Sequence, residues 1–206
     1  MKNIDLSLYL VTDKSDDVEK FLNTIEEAIK GGVTVVQIRE KTAETLDFYN
    51  LALKVKEITT KYNVPLIIND RVDVALAIDA DGVHVGQSDM PCDVTRKLIG
   101  EDKILGVSAA TVDEAKKAEK DGADYIGTGA VFPTATKDDA PSITKQDLKD
   151  VADSISIPVV AIGGINLENA SQLKDTGIAG ISVVSAIMSA ENPKKASEEL
   201  LNIFNS

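Results

Sequence analysis

Lys30-Gly31-Gly32-Val33-Thr34-Val35-Val36-Gln37-Ile38-Arg39-Glu40-Lys41 holds the junctions of one repeating unit. An amphipathic stretch over 18–30 leads into it and ends at two glycines, which suit the left-handed turn that follows a helix. The apolar run over 33–38 then has the length and β-branched content of a buried strand. Polar residues close the unit. Helix ends pass through glycine in the same way at Asp81-Gly82-Val83, Asp121-Gly122-Ala123 and Thr176-Gly177-Ile178.

Working outward, apolar runs predict strands over 6–11, 33–38, 65–68, 82–85, 104–107, 125–127, 158–162 and 180–184. Helical patterns predict helices over 18–30, 45–62, 94–99, 112–120, 145–152, 167–174 and 193–204, with a short one after Arg71. Strict alternation of strand and helix implies an α/β protein with parallel strands. Eight such units in 206 residues leave about 26 residues each, near the lower limit for a (β/α)8 barrel. The expectation is therefore an α/β fold, a single (β/α)8 TIM barrel filling 1–206 as one catalytic domain. A doubly wound open sheet is the competing architecture. No linker or low-complexity segment interrupts the pattern.

Hydrophobic residues make up 43% and charged residues 27%, as in a globular protein. No apolar run is long enough to span a bilayer, and residues 1–11 lack the features of a secretory leader. The lone Cys92 cannot form an internal disulfide, which favours the cytoplasm. A net charge of -12 opposes nucleic acid and anionic lipid as partners. Small-molecule substrates remain, even anionic ones, provided that a pocket gathers positive groups locally. Homo-oligomerisation is left open.

In such barrels the chemistry sits at the C-terminal ends of the strands. Strand 2 ends in Gln37-Ile38-Arg39-Glu40-Lys41. Because side chains alternate faces, Val36 and Ile38 pack under helices while Gln37 and Arg39 face the barrel mouth, with Lys41 just beyond. Strand 3 ends in Asn69-Asp70, strand 4 is followed by Gly86-Gln87-Ser88-Asp89, and strand 5 ends at Ser108. Strand 6 leads into Phe132-Pro133-Thr134-Ala135-Thr136-Lys137, strand 7 into Gly163-Gly164, and strand 8 into Val184-Ser185 at a helix start. Each residue alone is equally well read as a solvated loop residue. Position adds weight to Gly164 and Ser185, since loops after strands 7 and 8 commonly hold a phosphate on backbone N–H groups. Asp70 and Asp89, beside Arg39, Lys41 and Lys137, suit a hard cation such as Mg²⁺ that shares a diphosphate. Two surface aspartates in an acidic protein, or an acid/base pair, are the alternatives. His84, the only histidine, could orient a substrate ring but is more commonly structural in such a position, and it is assigned no role. Cys92 has no activating neighbour in the sequence.

The ordered set Gln37-Ile38-Arg39-Glu40-Lys41, Asn69-Asp70-Arg71, His84-Val85-Gly86-Gln87-Ser88-Asp89-Met90-Pro91, Val131-Phe132-Pro133-Thr134-Ala135-Thr136-Lys137-Asp138-Asp139-Ala140 and Ala161-Ile162-Gly163-Gly164-Ile165 resembles the thiamine-phosphate synthase family. The resemblance runs from Tyr9-Leu10-Val11-Thr12-Asp13 to the final helix. It departs at Ala130, where Gly-Pro is frequent, and at Ser88, where an acidic residue is frequent. It implies a transferase that joins a pyrimidine diphosphate to a thiazole phosphate, or to its carboxylated form, releasing diphosphate. It further implies that Gln37, Ile38, Arg39, Glu40, Lys41, Asn69, Ser108 and Lys137 hold the pyrimidine diphosphate. Of these, Arg39, Lys41, Ser108 and Lys137 would act in catalysis. Thr134, Ala135, Thr136, Gly164, Val184 and Ser185 would hold the thiazole phosphate, and Asp70 and Asp89 would bind Mg²⁺. Three rivals remain at this point: a thiazole tautomerase-like paralogue, another phosphate-sugar barrel enzyme such as an epimerase, and a non-catalytic phosphate-ligand sensor.

Overall fold

A computed structural model describes residues 4–14, 16–134 and 142–205. Eight strands close into a parallel barrel in sequence order. They are β1 (Leu8–Val11), β2 (Val35–Ile38), β3 (Leu66–Asn69), β4 (Gly82–Val85), β5 (Ile104–Ser108), β6 (Tyr125–Thr128), β7 (Val159–Ile162) and β8 (Gly180–Val183). Closure comes from the pairing of β1 with β8, with Leu8 opposite Ile181 and Leu10 opposite Val183. The α-helices are α1 (Val18–Lys30), α2 (Thr45–Tyr62), α3 (Val72–Ala77), α4 (Cys92–Ile99), α5 (Val112–Lys120), α6 (Lys145–Ser154), α7 (Ser185–Met188) and α8 (Pro193–Asn205). This is the expected (β/α)8 barrel, and closure excludes the open sheet.

One expected helix differs in kind. The segment after β7 is a 3-10 helix over Ala170–Thr176. Its buried residues are Ala170, Leu173 and Thr176, a strict spacing of three. Side chains at that spacing stack in line on a 3-10 helix, whereas on an α-helix they drift around the axis. The helix before β5 begins at Cys92, directly after Pro91, two residues earlier than the apolar pattern indicates.

Alternation along each strand builds two cores. Leu8, Leu10, Val36, Ile38, Leu66, Ile68, Val83 and Leu105 face outward into the layer between strands and helices. Tyr9, Val11, Val35, Ile67, Tyr125 and Val160 face inward, with Leu6 below them. The interior has room for Tyr125 and His84 because glycines stand against them. A Cβ on Gly106 would collide with the Tyr125 ring and hydroxyl and would lie 2.5 Å from His84 Nδ1. A Cβ on Gly127 would lie 3.1 Å from His84 Cε1. Glycine is used here for volume rather than for backbone freedom. Gly106→Ala should therefore cost about 1–3 kcal/mol through overpacking, a fall in melting temperature of several degrees by calorimetry. An unchanged melting temperature would show that the interior has slack that this packing does not allow.

Candidate active site

The inward parity that fills the barrel floor with apolar residues delivers polar ones to its upper end. One register step above Val35 stands Gln37, above Ile67 stands Asn69, above Gly82 stands His84, and above Gly106 stands Ser108. With the following loops they line a cavity of about 520 Å³ that also takes in Arg39, Lys41, Asp70, Asp89, Thr134, Gly164, Val184 and Ser185. Arg39 and Ser185 thus share one mouth, as the sequence reading requires.

The β2–β4 side carries the charge. Arg39 is positioned through its backbone N–H, which donates to Thr12 Oγ1 at 3.2 Å. Lys41 forms an ion pair with Asp70. Asp70 takes a left-handed backbone conformation, φ 61°, at the end of β3, a region that aspartate enters more readily than most residues. Its N–H donates to His84 O at 2.8 Å, so this turn is tied to β4. Asp89 Oδ2 accepts from Gly86 N–H at 2.7 Å, which folds the β4 loop back over the strand end. Burial raises the Asp70 carboxyl above its usual range; Lys41 opposes this, and the neighbouring Asp89 carboxylate adds to it. Two carboxylates side by side beside an ammonium group form a spot where positive charge is already favoured. Among the described residues no group of three or more His, Cys, Asp or Glu side chains gathers as a metal cluster. A cation on Asp70 and Asp89 would therefore need further oxygen donors, which a diphosphate supplies.

The β6–β8 side is built from backbone. Gly163 and Gly164 have φ of 98° and 66°, values that L side chains rarely adopt. A Cβ on Gly164 would strike the carbonyl oxygens of Pro133 and Phe132. The β7 turn and the β6 loop are thus in direct contact, and Phe132 N–H donates to Gly163 O at 3.1 Å. Asn169 Nδ2 donates to Gly164 O at 2.9 Å and fixes the turn from outside. Beyond β8, Ser185 opens the one-turn helix α7 and is exposed at the rim.

Not every expected residue converges. Ile38 is buried among the outward-facing core residues and does not line the cavity. Glu40 turns back on its own loop, accepting from the N–H groups of Thr42 at 2.8 Å and Ala43 at 3.2 Å. Burial opposes its ionisation, but these N–H donors together hold its carboxyl below the usual range. Its structural work is to shape the turn after β2. Ala135, Thr136 and Lys137 lie outside the described residues. Conversely, the residue pattern did not single out Tyr9 and Tyr125, which line the cavity floor with His84. Inward parity was the available signal: both are polar-tipped residues at positions that point inside.

Cys92 is buried, its thiol faces Ala118 O at 3.6 Å, and burial pushes its pKa up to about 11. It should react with an aromatic disulfide reagent only on unfolding, with no fast phase in native buffer. A fast native phase would mean that the α4–α5 contact opens readily.

The comparisons with known proteins agree with this geometry. The family model described as thiamine monophosphate synthase matches residues 8–187. The thiamine-phosphate synthase of Methanobrevibacter smithii is 72% identical over 204 residues, spanning 99% of this chain and 98% of that protein. That of Clostridium tetani is 55% identical over 208 residues, spanning 99% and 98%. Among solved structures, a thiamine phosphate pyrophosphorylase from Pyrococcus furiosus superposes with a TM-score of 0.87 at 43% identity, over 98% of this chain and 96% of that one. With the family model matched over residues 8–187 and a relative 72% identical over nearly the whole chain, the chain belongs to the thiamine monophosphate synthase family.

Proposed function

We propose that the protein condenses an aminopyrimidine carrying a diphosphooxymethyl arm with a phosphooxyethyl thiazole, giving thiamine phosphate and diphosphate. The observation that carries this reading is the division of one mouth: cationic and carboxylate groups on β2–β4, and a backbone-lined turn on β7–β8. The matching names of relatives across nearly the full chain support it. We assign the cytoplasm as its compartment, which the lone cysteine favours.

In this reading the diphosphate lies against Arg39, Lys41, Asn69 and Ser108, with Lys137 as a further ligand. Gln37 faces the pyrimidine end. The carbon–oxygen bond to the diphosphate breaks first, so the charge to be stabilised is that of the leaving group. Preorganised donors and cations contribute more to such a step than a general base does. Asp70 and Asp89 would hold Mg²⁺, which when bound supplies positive charge to the departing diphosphate. The thiazole phosphate rests on the N–H groups around Gly164 and Ser185, with Thr134, Thr136 and Val184 beside it. The thiazole nitrogen is thereby held near the pyrimidinylmethyl cation, and orientation replaces a collision in solution. A tautomerase would have no use for the β2–β4 charge set.

The double variant Asp70→Asn/Asp89→Asn tests the metal assignment. Asparagine keeps the size and weakens a hard-cation ligand. Turnover should fall about a thousandfold, the equivalent of about 4 kcal/mol of transition-state stabilisation, with the melting temperature little changed. Normal turnover of this variant at low Mg²⁺ would sink the assignment.

Gly164→Ala tests the phosphate turn. The added methyl is strained by its φ and pushes on Phe132 and Pro133, so KM for the thiazole phosphate should rise at least tenfold. Binding of the pyrimidine diphosphate should weaken less, since of its ligands only Lys137 belongs to the β6 segment that the methyl pushes on. Equal losses for both substrates would contradict a divided mouth.

A further inference from the structure

A line of hydrogen bonds crosses the barrel interior below the mouth. Gln37 Nε2 donates to Tyr9 Oη at 2.7 Å. Tyr9 Oη lies 2.6 Å from Tyr125 Oη. Tyr125 Oη lies 2.9 Å from His84 Nδ1, and His84 Nε2 lies 2.9 Å from Ser108 Oγ. The line joins β2, β1, β6, β4 and β5, and both tyrosines are buried.

The direction of each bond follows from counting hydrogens. A phenol has one hydrogen to give, and burial holds both phenols in the protonated form by raising their pKa. Tyr9 accepts from the Gln37 amide, and the Tyr125 oxygen at 2.6 Å is the acceptor within reach of its own hydrogen, so that hydrogen goes to Tyr125. Tyr125 then gives its hydrogen to His84 Nδ1, the remaining acceptor on its side. With Nδ1 accepting, the neutral ring carries its hydrogen on Nε2 and donates it to Ser108 Oγ. One lone pair of Ser108 Oγ is engaged from below, and its own hydrogen is left for an acceptor in the mouth. Gln87 Nε2 donates to the Ser108 carbonyl at 2.6 Å and steadies the strand end that carries this hydroxyl.

We propose that Tyr9, Tyr125 and His84 are positioning residues, which set the Ser108 hydroxyl as a hydrogen-bond donor aimed at the leaving diphosphate. This rests on the reading of Ser108 as a diphosphate ligand. The reverse polarity would make Ser108 give its hydrogen to His84 and present lone pairs to an anion, which would repel it. The buried amide of Gln37 selects between the two. No covalent step is involved, and no proton leaves the line.

His84 is the only histidine, so a protein labelled with ¹⁵N-histidine gives one imidazole pattern. In the wild-type protein the long-range ¹H–¹⁵N spectrum should show the Nε2–H tautomer, with Nδ1 unprotonated. An Nδ1–H pattern overturns the proposal, whatever Ser108 does and whether or not any variant folds. Tyr125→Phe, which removes one hydroxyl, should convert the spectrum to a mixture of tautomers. It should also lower kcat about tenfold or more, the loss expected for a hydrogen bond to a charged group, with KM for the thiazole phosphate unchanged. Ser108→Ala should lower kcat similarly, and adding Tyr125→Phe to it should lower kcat no further. Additive losses would mean that Tyr125 acts otherwise than through Ser108. Full activity of Ser108→Ala would refute the ligand reading itself, and the proposal with it, a failure that the wild-type spectrum distinguishes from a wrong polarity.

Discussion

The pairing of β1 with β8 is the constraint on which the site depends. In an open sheet, the Arg39 and Lys41 end of β2 and the Ser185 end of β8 would lie at separated edges. Closure brings them to the rim of one cavity. Parallel direction all round then sends every strand's C-terminal end to the same face, which is how residues far apart in sequence come to share it.

Closure also fixes what the interior can hold. The inward positions form a column that is apolar at its floor, with Val35, Ile67 and Val160. It is aromatic with hydroxyl tips in the middle, at Tyr9 and Tyr125, and polar at the top. Most buried polar groups in proteins are paired, and here the Gln37–Tyr9–Tyr125–His84–Ser108 line pairs these five end to end. The same bonds tie five strands together, so the network that orders the mouth is also part of the barrel's packing. Gly106 and Gly127 leave the space for it.

Much of this was legible in the residues. Apolar runs separated by amphipathic ones define the strand order, and period-two parity correctly sends Gln37 and Arg39 inward and Val36 and Ile38 outward. The same parity argues against Ile38 as a side-chain ligand, a role that only the family resemblance implied. Glu40 was ambiguous because a carboxylate just after a strand serves a turn as readily as a substrate, and here it caps the turn at Thr42 and Ala43. The 3-10 form over Ala170–Thr176 was hidden because a spacing of three is compatible with either helix over so short a span. The interior hydrogen-bond line could not be read from sequence, since it joins five strands whose mutual register only the closed barrel sets.

The division of the mouth has a simple electrostatic logic. In the proposed reading the leaving group gains charge and would meet cations and N–H or O–H donors on one side. In the same reading the nucleophile carries a phosphate handle and would be held by neutral backbone on the other, where an added cation would compete for the diphosphate. A chain of net charge -12 can host two anionic substrates only if such local fields override its surroundings. The most direct measurement is to incubate the purified protein with the pyrimidine diphosphate, the thiazole phosphate and Mg²⁺, and to quantify both products. The account predicts thiamine phosphate and diphosphate in equal amounts, with neither formed in excess chelator. Diphosphate released without matching thiamine phosphate, or no product from either substrate, would contradict it.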